Sequence, residues 1–119
     1  MKVLKFGGTS VGSPQRMKEV CNLVLEDGQQ KLVVLSAMSG TTNSLVEISQ
    51  YLYSGNEDGA ADVINKLHSK YLAHLPELYS TEEKREDVKA FINEKFEFLH
   101  SFSKENFSEV EEKTILAQG

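Results

Sequence analysis

The apolar positions of the first thirty residues follow two different periods. An alternating apolar run, formed by Val3, Leu4 and Phe6, stops at Gly7-Gly8, which is typical of a buried strand entering a tight turn. Ser13-Pro14 then marks a helix start, with the hydroxyl as N-cap and proline at the first helical position. Apolar residues recur at helical spacing up to Gly28, at Met17, Val20, Cys21, Val24 and Leu25. The pattern predicts a strand followed by a helix.

Residues 31–36, Lys-Leu-Val-Val-Leu-Ser, are an apolar run without polar alternation, as expected of a strand covered on both faces. Strand, helix and strand within 36 residues predict a parallel, right-handed βαβ unit. The segment 36–44 comes next and leads into another helix that is expected to end near Gly55. The apolar positions of that helix are Leu45, Val46, Ile48 and Leu52.

The remainder of the chain is predicted to be mainly helical. One apolar stripe runs through residues 58–75, and Pro76 is expected to end that helix. A second helix is predicted to begin after Thr81 and to continue to about residue 100, and the charged run 109–113 is interpreted as a solvated helix face or turn. The two stripes consist of Ala60, Ile64, Leu67, Tyr71 and Leu75, then Val88, Phe91, Ile92, Phe96 and Leu99.

Composition narrows the possible partners. The 119 residues are enough for one compact domain or part of one, and a net charge of -5 provides no basic surface for nucleic acid or an anionic membrane. No run of 18 apolar residues occurs, so the protein is expected to be cytoplasmic. The single cysteine, Cys21, permits no internal disulfide and no Cys-based metal site, and its place in the apolar stripe favours a small buried residue over a nucleophile.

The turn after the first strand carries residue types that suit a phosphate. Gly7 and Gly8 let backbone N–H groups approach an anion without an intervening Cβ, while Thr9 and Ser10 add hydroxyl donors. Lys5 would bring an ammonium group to the mouth of the turn. Because Gly-Gly pairs also occur in turns that bind nothing, this spacing by itself leaves both interpretations open.

The segment 36–44 is rich in small and hydroxyl residues and predicts a second anion site. Ligands of parallel sheets bind beyond the carboxyl ends of the strands, so this segment should face Gly7-Gly8. Unpaired N–H groups at the start of the next helix would attract an anion there. Alternatively, Thr41, Thr42 and Asn43 are only helix-cap residues.

Other known chemistries find no support in the sequence. Gly7-Gly8 lacks the spacing of a Walker A loop and of the protein-kinase glycine loop. His68 and His74 are six residues apart, which does not place them on one helical face, so they are interpreted as surface or rim residues. No metal-binding residues are therefore predicted.

Two motifs together resemble the N-terminal signature of the aspartokinases, members of the amino-acid kinase superfamily. The first is Lys5-Phe6-Gly7-Gly8-Thr9-Ser10; the second is Val33-Val34-Leu35-Ser36-Ala37 with Gly40-Thr41-Thr42-Asn43. Their order and separation agree with the family. More loosely, residues 114–119 resemble the start of a segment that precedes an acidic substrate contact, which would be the next residue.

The resemblance implies the α/β fold of the amino-acid kinases, a three-layer αβα sandwich with a mostly parallel sheet, similar to carbamate kinase. Residues 1–119 would be the N-terminal portion of one catalytic domain. Within it, residues 1–55 would form a βαβα segment with the phosphate and substrate loops, and residues 56–119 a mainly helical insertion. The remaining kinase segments and the regulatory ACT domains would lie beyond Gly119, so the isolated chain is expected to be inactive.

The resemblance also implies residue roles. Lys5 would contact the transferring phosphate of Mg-ATP and is the expected catalytic residue. The implied nucleotide-binding residues are Lys5, Phe6, Gly7, Gly8, Thr9 and Ser10, and the implied aspartate-binding residues are Ser36, Ala37, Gly40, Thr42 and Asn43.

The implied activity is transfer of the ATP γ-phosphate to the side chain of L-aspartate, the first step towards lysine, threonine and methionine. The implied cofactors are ATP and Mg²⁺. Nucleic acid and membranes are not expected partners, and the complete protein is expected to be a homo-oligomer. Two alternatives remain open: a sister kinase of the same superfamily with another acceptor, and a non-catalytic binding or assembly module.

Overall fold

The computed structural model of the chain describes residues 1–102 and 107–119. These residues form two compact units, Met1–Gly40 and Thr41–Gly119. The elements of the first unit are β1 (Lys2–Phe6), α1 (Pro14–Leu25) and β2 (Lys31–Leu35). Those of the second are α2 (Thr41–Ser54), α3 (Glu57–Leu78), α4 (Glu82–His100) and α5 (Glu109–Leu116). No helix among the described residues is both long and apolar enough to cross a membrane.

The first unit is the predicted βαβ arrangement. β1 and β2 are parallel neighbours whose register runs from Lys2 opposite Lys31 to Phe6 opposite Leu35. The Ser13 hydroxyl accepts a hydrogen bond from the Arg16 backbone N–H at 3.2 Å, which confirms Ser13 as the N-cap of α1. Local sequence signals therefore define the boundaries of these elements.

Burial in the first unit differs from the prediction. Leu32 and Leu35 are more than half exposed and Val34 is 43% exposed, so the expectation that β2 is covered on both faces is wrong for the described chain. Cys21 is exposed as well, so its predicted burial is also wrong. Of the predicted α1 stripe, only Val20 is fully buried, so the face of α1 that is covered within the described residues is narrower than the spacing predicts.

The second unit is a packed helical assembly with its own core. α3 packs against α2 and α4, and α2 also packs against α5. The residues of this core are at most 5% exposed and comprise Leu45, Ile48, Leu52, Ala60, Ile64, Leu67, Phe96, Leu99 and Ile115. Both predicted stripes supply members of it, although Phe91 is 60% exposed. The helical prediction for the second half is thus confirmed in the described residues.

The end of α3 differs from the prediction, and α2 lies in the second compact unit although the prediction grouped residues 1–55 together. α3 continues past Pro76 to Leu78, because the proline removes only its own backbone donor and the Tyr79 N–H still donates to the Leu75 carbonyl at 3.0 Å. The Arg85 guanidinium donates to the carbonyl oxygens of Tyr79 and Pro76, at 2.7 and 3.3 Å, and so satisfies groups at this helix end. α2 begins at Thr41, so it belongs with the helical unit and the two units divide after Gly40.

Candidate functional site

The glycine loop, residues 7–12, leaves the carboxyl end of β1 as two successive tight turns. The Ser10 backbone N–H donates to the Gly7 carbonyl at 3.1 Å, and the Gly12 N–H donates to the Thr9 carbonyl at 3.3 Å. Gly7 and Thr9 are exposed, while Gly8 and Ser10 are half-buried. Since the Ser10 N–H closes a turn, the hydroxyl of Ser10 is the donor that remains for a ligand.

Gly7 and Gly8 differ in how much space surrounds the position that a Cβ would occupy. A Cβ on Gly8 would lie 3.0 Å from the Ala37 carbonyl oxygen and 3.5 Å from the Ser39 Cα, so this position must stay bare for the backbones to approach. A Cβ on Gly7 would meet no protein atom within 4 Å, and Gly7 has no positive φ. Packing within the described residues therefore explains why residue 8 is a glycine, but it does not explain why residue 7 is one. The space beside Gly7 is open.

The acceptor loop, residues 36–40, follows β2 at the same edge of the sheet. The Ser36 backbone N–H donates to the Phe6 carbonyl at 3.1 Å, which extends the strand pairing to the point where both loops begin. The exposed Ser36 hydroxyl donates to the Ala37 carbonyl at 3.3 Å. Gly40 ends the loop with φ +85°, a conformation that favours glycine. The structure thus places the two loops side by side, as the βαβ geometry predicts.

Lys5 lies on β1 directly opposite Val34. Its side chain is exposed and makes no ion pair with any residue in the described ranges. Side chains alternate along a strand, so Lys5 and the half-buried Phe6 point to opposite faces of the sheet. An unpaired ammonium two residues before Gly7 is available to a phosphate at the loop.

Thr42 and Asn43 belong to the second unit, in the first turn of α2. Both are exposed, whereas Thr41 is buried and its hydroxyl is 2.5 Å from the Tyr71 hydroxyl. The first N–H groups of a helix have no partner within the helix, so donors are available in this turn. Thr42 and Asn43 therefore have the exposure that ligand contact requires, and their roles stay predictions.

Sequence reasoning does not single out Gly12 or Ser39, although the structure brings them together. A Cβ on Gly12 would lie 3.1 Å from the Ser39 Cβ and 3.2 Å from the Gly8 carbonyl oxygen. Gly12 therefore supports the contact between the glycine loop and the acceptor loop. The available signal was a third glycine within six residues of the sequence, directly before Ser13-Pro14.

The strongest electrostatic cluster of the first unit lies at the opposite ends of the strands. Lys31, whose side chain is 5% exposed, donates to an Asp27 carboxylate oxygen and, at 2.8 Å, to the Val24 carbonyl. The ammonium of Lys31, the Gln29 backbone N–H and the ammonium of Lys2 hold the pKa of Asp27 well below its usual range. This cluster anchors β1, β2 and the end of α1 away from the two loops.

Within residues 1–102 and 107–119, no three His, Cys, Asp or Glu side chains are arranged to hold a metal ion. His68 and His74 are both half-buried on α3. The His68 Nε2 is 2.7 Å from the Asn93 Oδ1, and the imidazole stacks on Phe96 with a centroid distance of 4.5 Å. His68 therefore packs between α3 and α4.

Comparison with known proteins identifies similar chains. A family model described as the amino acid kinase family matches residues 1–112. The chain is 36% identical over 104 residues to aspartokinase 2, chloroplastic, of Arabidopsis thaliana, a match that covers 86% of this chain and 18% of the relative. It is 40% identical over 73 residues to lysine-sensitive aspartokinase 3 of Escherichia coli (strain K12), which covers 61% and 16% respectively.

Two solved structures of E. coli aspartokinase III match all of this chain at 27% identity. The complex with lysine and aspartate, in the T-state, gives a TM-score of 0.76, and the complex with aspartate and ADP, in the R-state, gives 0.72. The chain spans 26% of each solved chain and less than a fifth of the two curated relatives. These matches confirm the resemblance inferred from the two motifs and the α/β fold class.

Proposed function

Because the chain belongs to the amino acid kinase family, we propose that this protein is an aspartate kinase. It transfers the γ-phosphate of ATP to the side-chain carboxylate of L-aspartate and produces 4-phospho-L-aspartate. The named relatives are aspartokinases, and one similar solved protein holds both aspartate and ADP, which supports this choice of acceptor and donor. The resulting acyl phosphate is the first intermediate towards lysine, threonine and methionine.

One observation carries the proposal: the glycine loop and the acceptor loop pack backbone against backbone beyond the paired strands. The Gly8 Cβ position is 3.0 Å from the Ala37 carbonyl oxygen, so the loops touch without side chains between them. A donor phosphate on one loop and an acceptor carboxylate on the other would thereby be neighbours. Such positioning supplies a large part of the catalysis of phosphoryl transfer.

The glycine loop is assigned to the nucleotide. Gly7 leaves space for a phosphate, Gly8 keeps the loop against its neighbour, and the hydroxyls of Thr9 and Ser10 donate hydrogen bonds. Lys5 brings the positive charge that neutralises the transferring group. Phe6 completes the strand that holds this loop in place.

Magnesium is assigned to the nucleotide and not to a protein cage. No cluster of three His, Cys, Asp or Glu side chains exists in the described ranges, and Mg²⁺ commonly binds through substrate phosphates while it keeps several waters. Bound in this way, Mg²⁺ would lower the negative charge of the phosphates. The residues of the glycine loop would position the same phosphates through N–H and hydroxyl groups.

The acceptor loop is assigned to L-aspartate. The Ser36 hydroxyl is exposed and can donate to a carboxylate. Thr42 and Asn43 of the second unit are exposed, and their role as aspartate contacts rests on the motif resemblance. Ala37 and Gly40 keep the loop small enough for close approach. An aspartate carboxylate is ionised at neutral pH, so the attacking oxygen needs no general base.

Trapping of the acyl phosphate tests the proposal. The complete gene product is incubated with Mg-ATP, L-aspartate and hydroxylamine, and aspartyl hydroxamate is measured. We expect hydroxamate from the unmodified protein and a reduction of about 100-fold or more in Lys5→Ala, because an electrostatic contact to the transferring group is lost. Lys18→Ala removes an exposed ammonium from α1 and is the matched control, which should retain full activity.

The outcomes separate the candidate enzymes. Absence of hydroxamate from a folded, ATP-binding protein would reject aspartate as acceptor, and the same trap with other carboxylates would then identify a sister kinase. Full hydroxamate formation by Lys5→Ala would keep the activity but reject the role of Lys5. Failure to bind ATP would reject the kinase assignment itself.

A further inference from the structure

A cavity of about 130 Å³ opens among α2, α3, α4 and the end of the chain in the helical unit. Its floor is apolar, because Leu45, Leu67 and Leu99 line it and each is at most 5% exposed. None of the residues assigned to the nucleotide or to aspartate lines this cavity. The cavity is therefore separate from the residues assigned to the two substrates.

Aromatic rings form much of the wall. Tyr71 and Phe96 meet edge to face, with a centroid distance of 5.7 Å and an interplanar angle of 87°. Phe91, which is 60% exposed, adds a third ring at the mouth. Aromatic pairs favour such edge-to-face contacts, and a cavity of about 150 Å³ with apolar walls is known to bind benzene. The size and walls of the cavity thus suit a single aromatic ring.

The polar side chains that line the cavity differ in whether they already have a hydrogen-bond or ion-pair partner. The hydroxyls of Thr41 and Tyr71 are 2.5 Å apart and share one hydrogen bond, and the Gln118 side-chain amide donates to the Thr114 carbonyl at 3.1 Å. Lys95 lies at the mouth, with its ammonium 5.2 Å from the Phe91 ring centroid. No carboxylate pairs with Lys95 in the described part of the chain. The charge at the mouth therefore favours an anionic group on the ligand.

We propose that this cavity is a binding site for a small aryl carboxylate. The ring lies between the aromatic walls formed by Tyr71, Phe91 and Phe96, and the carboxylate faces the ammonium of Lys95. The proposal is independent of the kinase assignment, since binding requires only residues of the helical unit.

Two isosteric probes test the proposed ligand class on the 119-residue chain. 3-Phenylpropanoate carries the ring and the charge, and 3-phenylpropanamide carries the ring alone. Titrations are followed by ¹H–¹⁵N chemical shifts. We expect saturable shifts at the amides of Leu67, Tyr71 and Lys95, with about fivefold tighter binding of the carboxylate, which is the scale of one partly exposed ion pair. Equal affinities would reject the carboxylate class, and saturation without shifts at these amides, or no saturation, would reject the site.

Two variants sharpen the test. Lys95→Gln should bind both probes with the same affinity, while Lys89→Gln, which removes an exposed charge from the same helix outside the cavity, should keep the fivefold difference. Ile92→Phe adds volume at a half-buried lining position and should abolish binding of both probes. Unchanged binding by either Lys95→Gln or a folded Ile92→Phe would overturn the proposal.

Discussion

The two units of the chain differ in how much apolar surface they bury. Met1–Gly40 carries the glycine loop and the acceptor loop, yet its fully buried residues are only Val11, Pro14 and Val20. Thr41–Gly119 carries a continuous apolar core in which Ile48 and Ile115 are completely buried. The unit with the glycine loop thus buries much less apolar surface.

This difference shows which forces hold each unit. In the helical unit, burial of large side chains provides most of the stabilisation. The first unit has few buried side chains, so its stability depends more on polar and backbone interactions. These are the strand pairing, the Asp27–Lys31 cluster and the contact between the two glycine-containing loops. Exposed Val3 and Leu32 on the sheet give that unit apolar surface that no described residue covers. The comparison predicts that core truncations and loop or charge substitutions will act on different units.

The largest effect is expected in the helical core. Ile48→Ala should reduce the free energy of unfolding by about 2–5 kcal/mol, because it removes a completely buried side chain and leaves a cavity. Val46→Ala, on the same helix at a position 38% exposed, is the matched control and should change it by less than about 1 kcal/mol. Urea unfolding followed by circular dichroism measures both. Similar losses in the two variants would contradict the assignment of the core.

A smaller effect on stability, but a specific one, is expected at the glycine loop. Gly8→Ala should cost about 1–3 kcal/mol, because its Cβ would crowd the Ala37 carbonyl oxygen at 3.0 Å. Gly7→Ala meets no protein atom and should leave stability almost unchanged. If the proposed nucleotide role holds, Gly7→Ala should nevertheless weaken ATP binding by the complete gene product, measured by calorimetry. Equal ATP affinity in Gly7→Ala and the unmodified protein would show that the space beside Gly7 is not used.

Much of the fold could be predicted because its signals are local. Ser13-Pro14 starts α1, Gly28 and Gly55 have positive φ beyond helix ends, and the Thr81 hydroxyl caps α4. Cys21 and Val34 could not be placed correctly, because burial depends on what packs across an element and not on its own spacing. Hydrophobic periodicity identifies the face that can be buried, and tertiary packing decides how much of it is.

The candidate site was predictable at the level of chain topology. Placement of Gly7 and Ser36 at one sheet edge follows from the parallel βαβ rule. The contact of Gly12 with Ser39 was not predictable, since the path of an irregular loop has no periodicity. The roles of Thr42 and Asn43 rest on motif resemblance, and their exposure in α2 is compatible with them.

A loss of stability at acidic pH is expected in the first unit at the Asp27 cluster. Folding lowers the pKa of Asp27, so its stabilising contribution is present above the unfolded pKa, near 4, and is lost as the pH falls below that value. Hydrogen exchange of β1 and β2 between about pH 5 and pH 2.5 should therefore quicken beyond the intrinsic pH effect. Asp27→Asn should remove this extra dependence, and Asp62→Asn, an exposed carboxylate on α3, should preserve it. The same pH dependence in all three proteins would contradict the proposed anchoring by Lys31.

The smallest effect is expected at the surface of the helical unit. The Tyr53 hydroxyl donates to a Glu112 carboxylate oxygen at 2.6 Å, and this hydrogen bond raises the pKa of Tyr53 to about 12. Since the raised pKa belongs to the folded state, the contribution to stability is present below about pH 10 and disappears as the pH rises towards 12. The absorbance titration near 295 nm, taken as the difference from Tyr53→Phe, should show this late ionisation. Glu112→Gln should lower the pKa of Tyr53 clearly, whereas Glu109→Gln should lower it only slightly, because Glu109 acts on Tyr53 through charge without the hydrogen bond. An unchanged titration in Glu112→Gln would mean that α2 and α5 are not joined through this pair in solution.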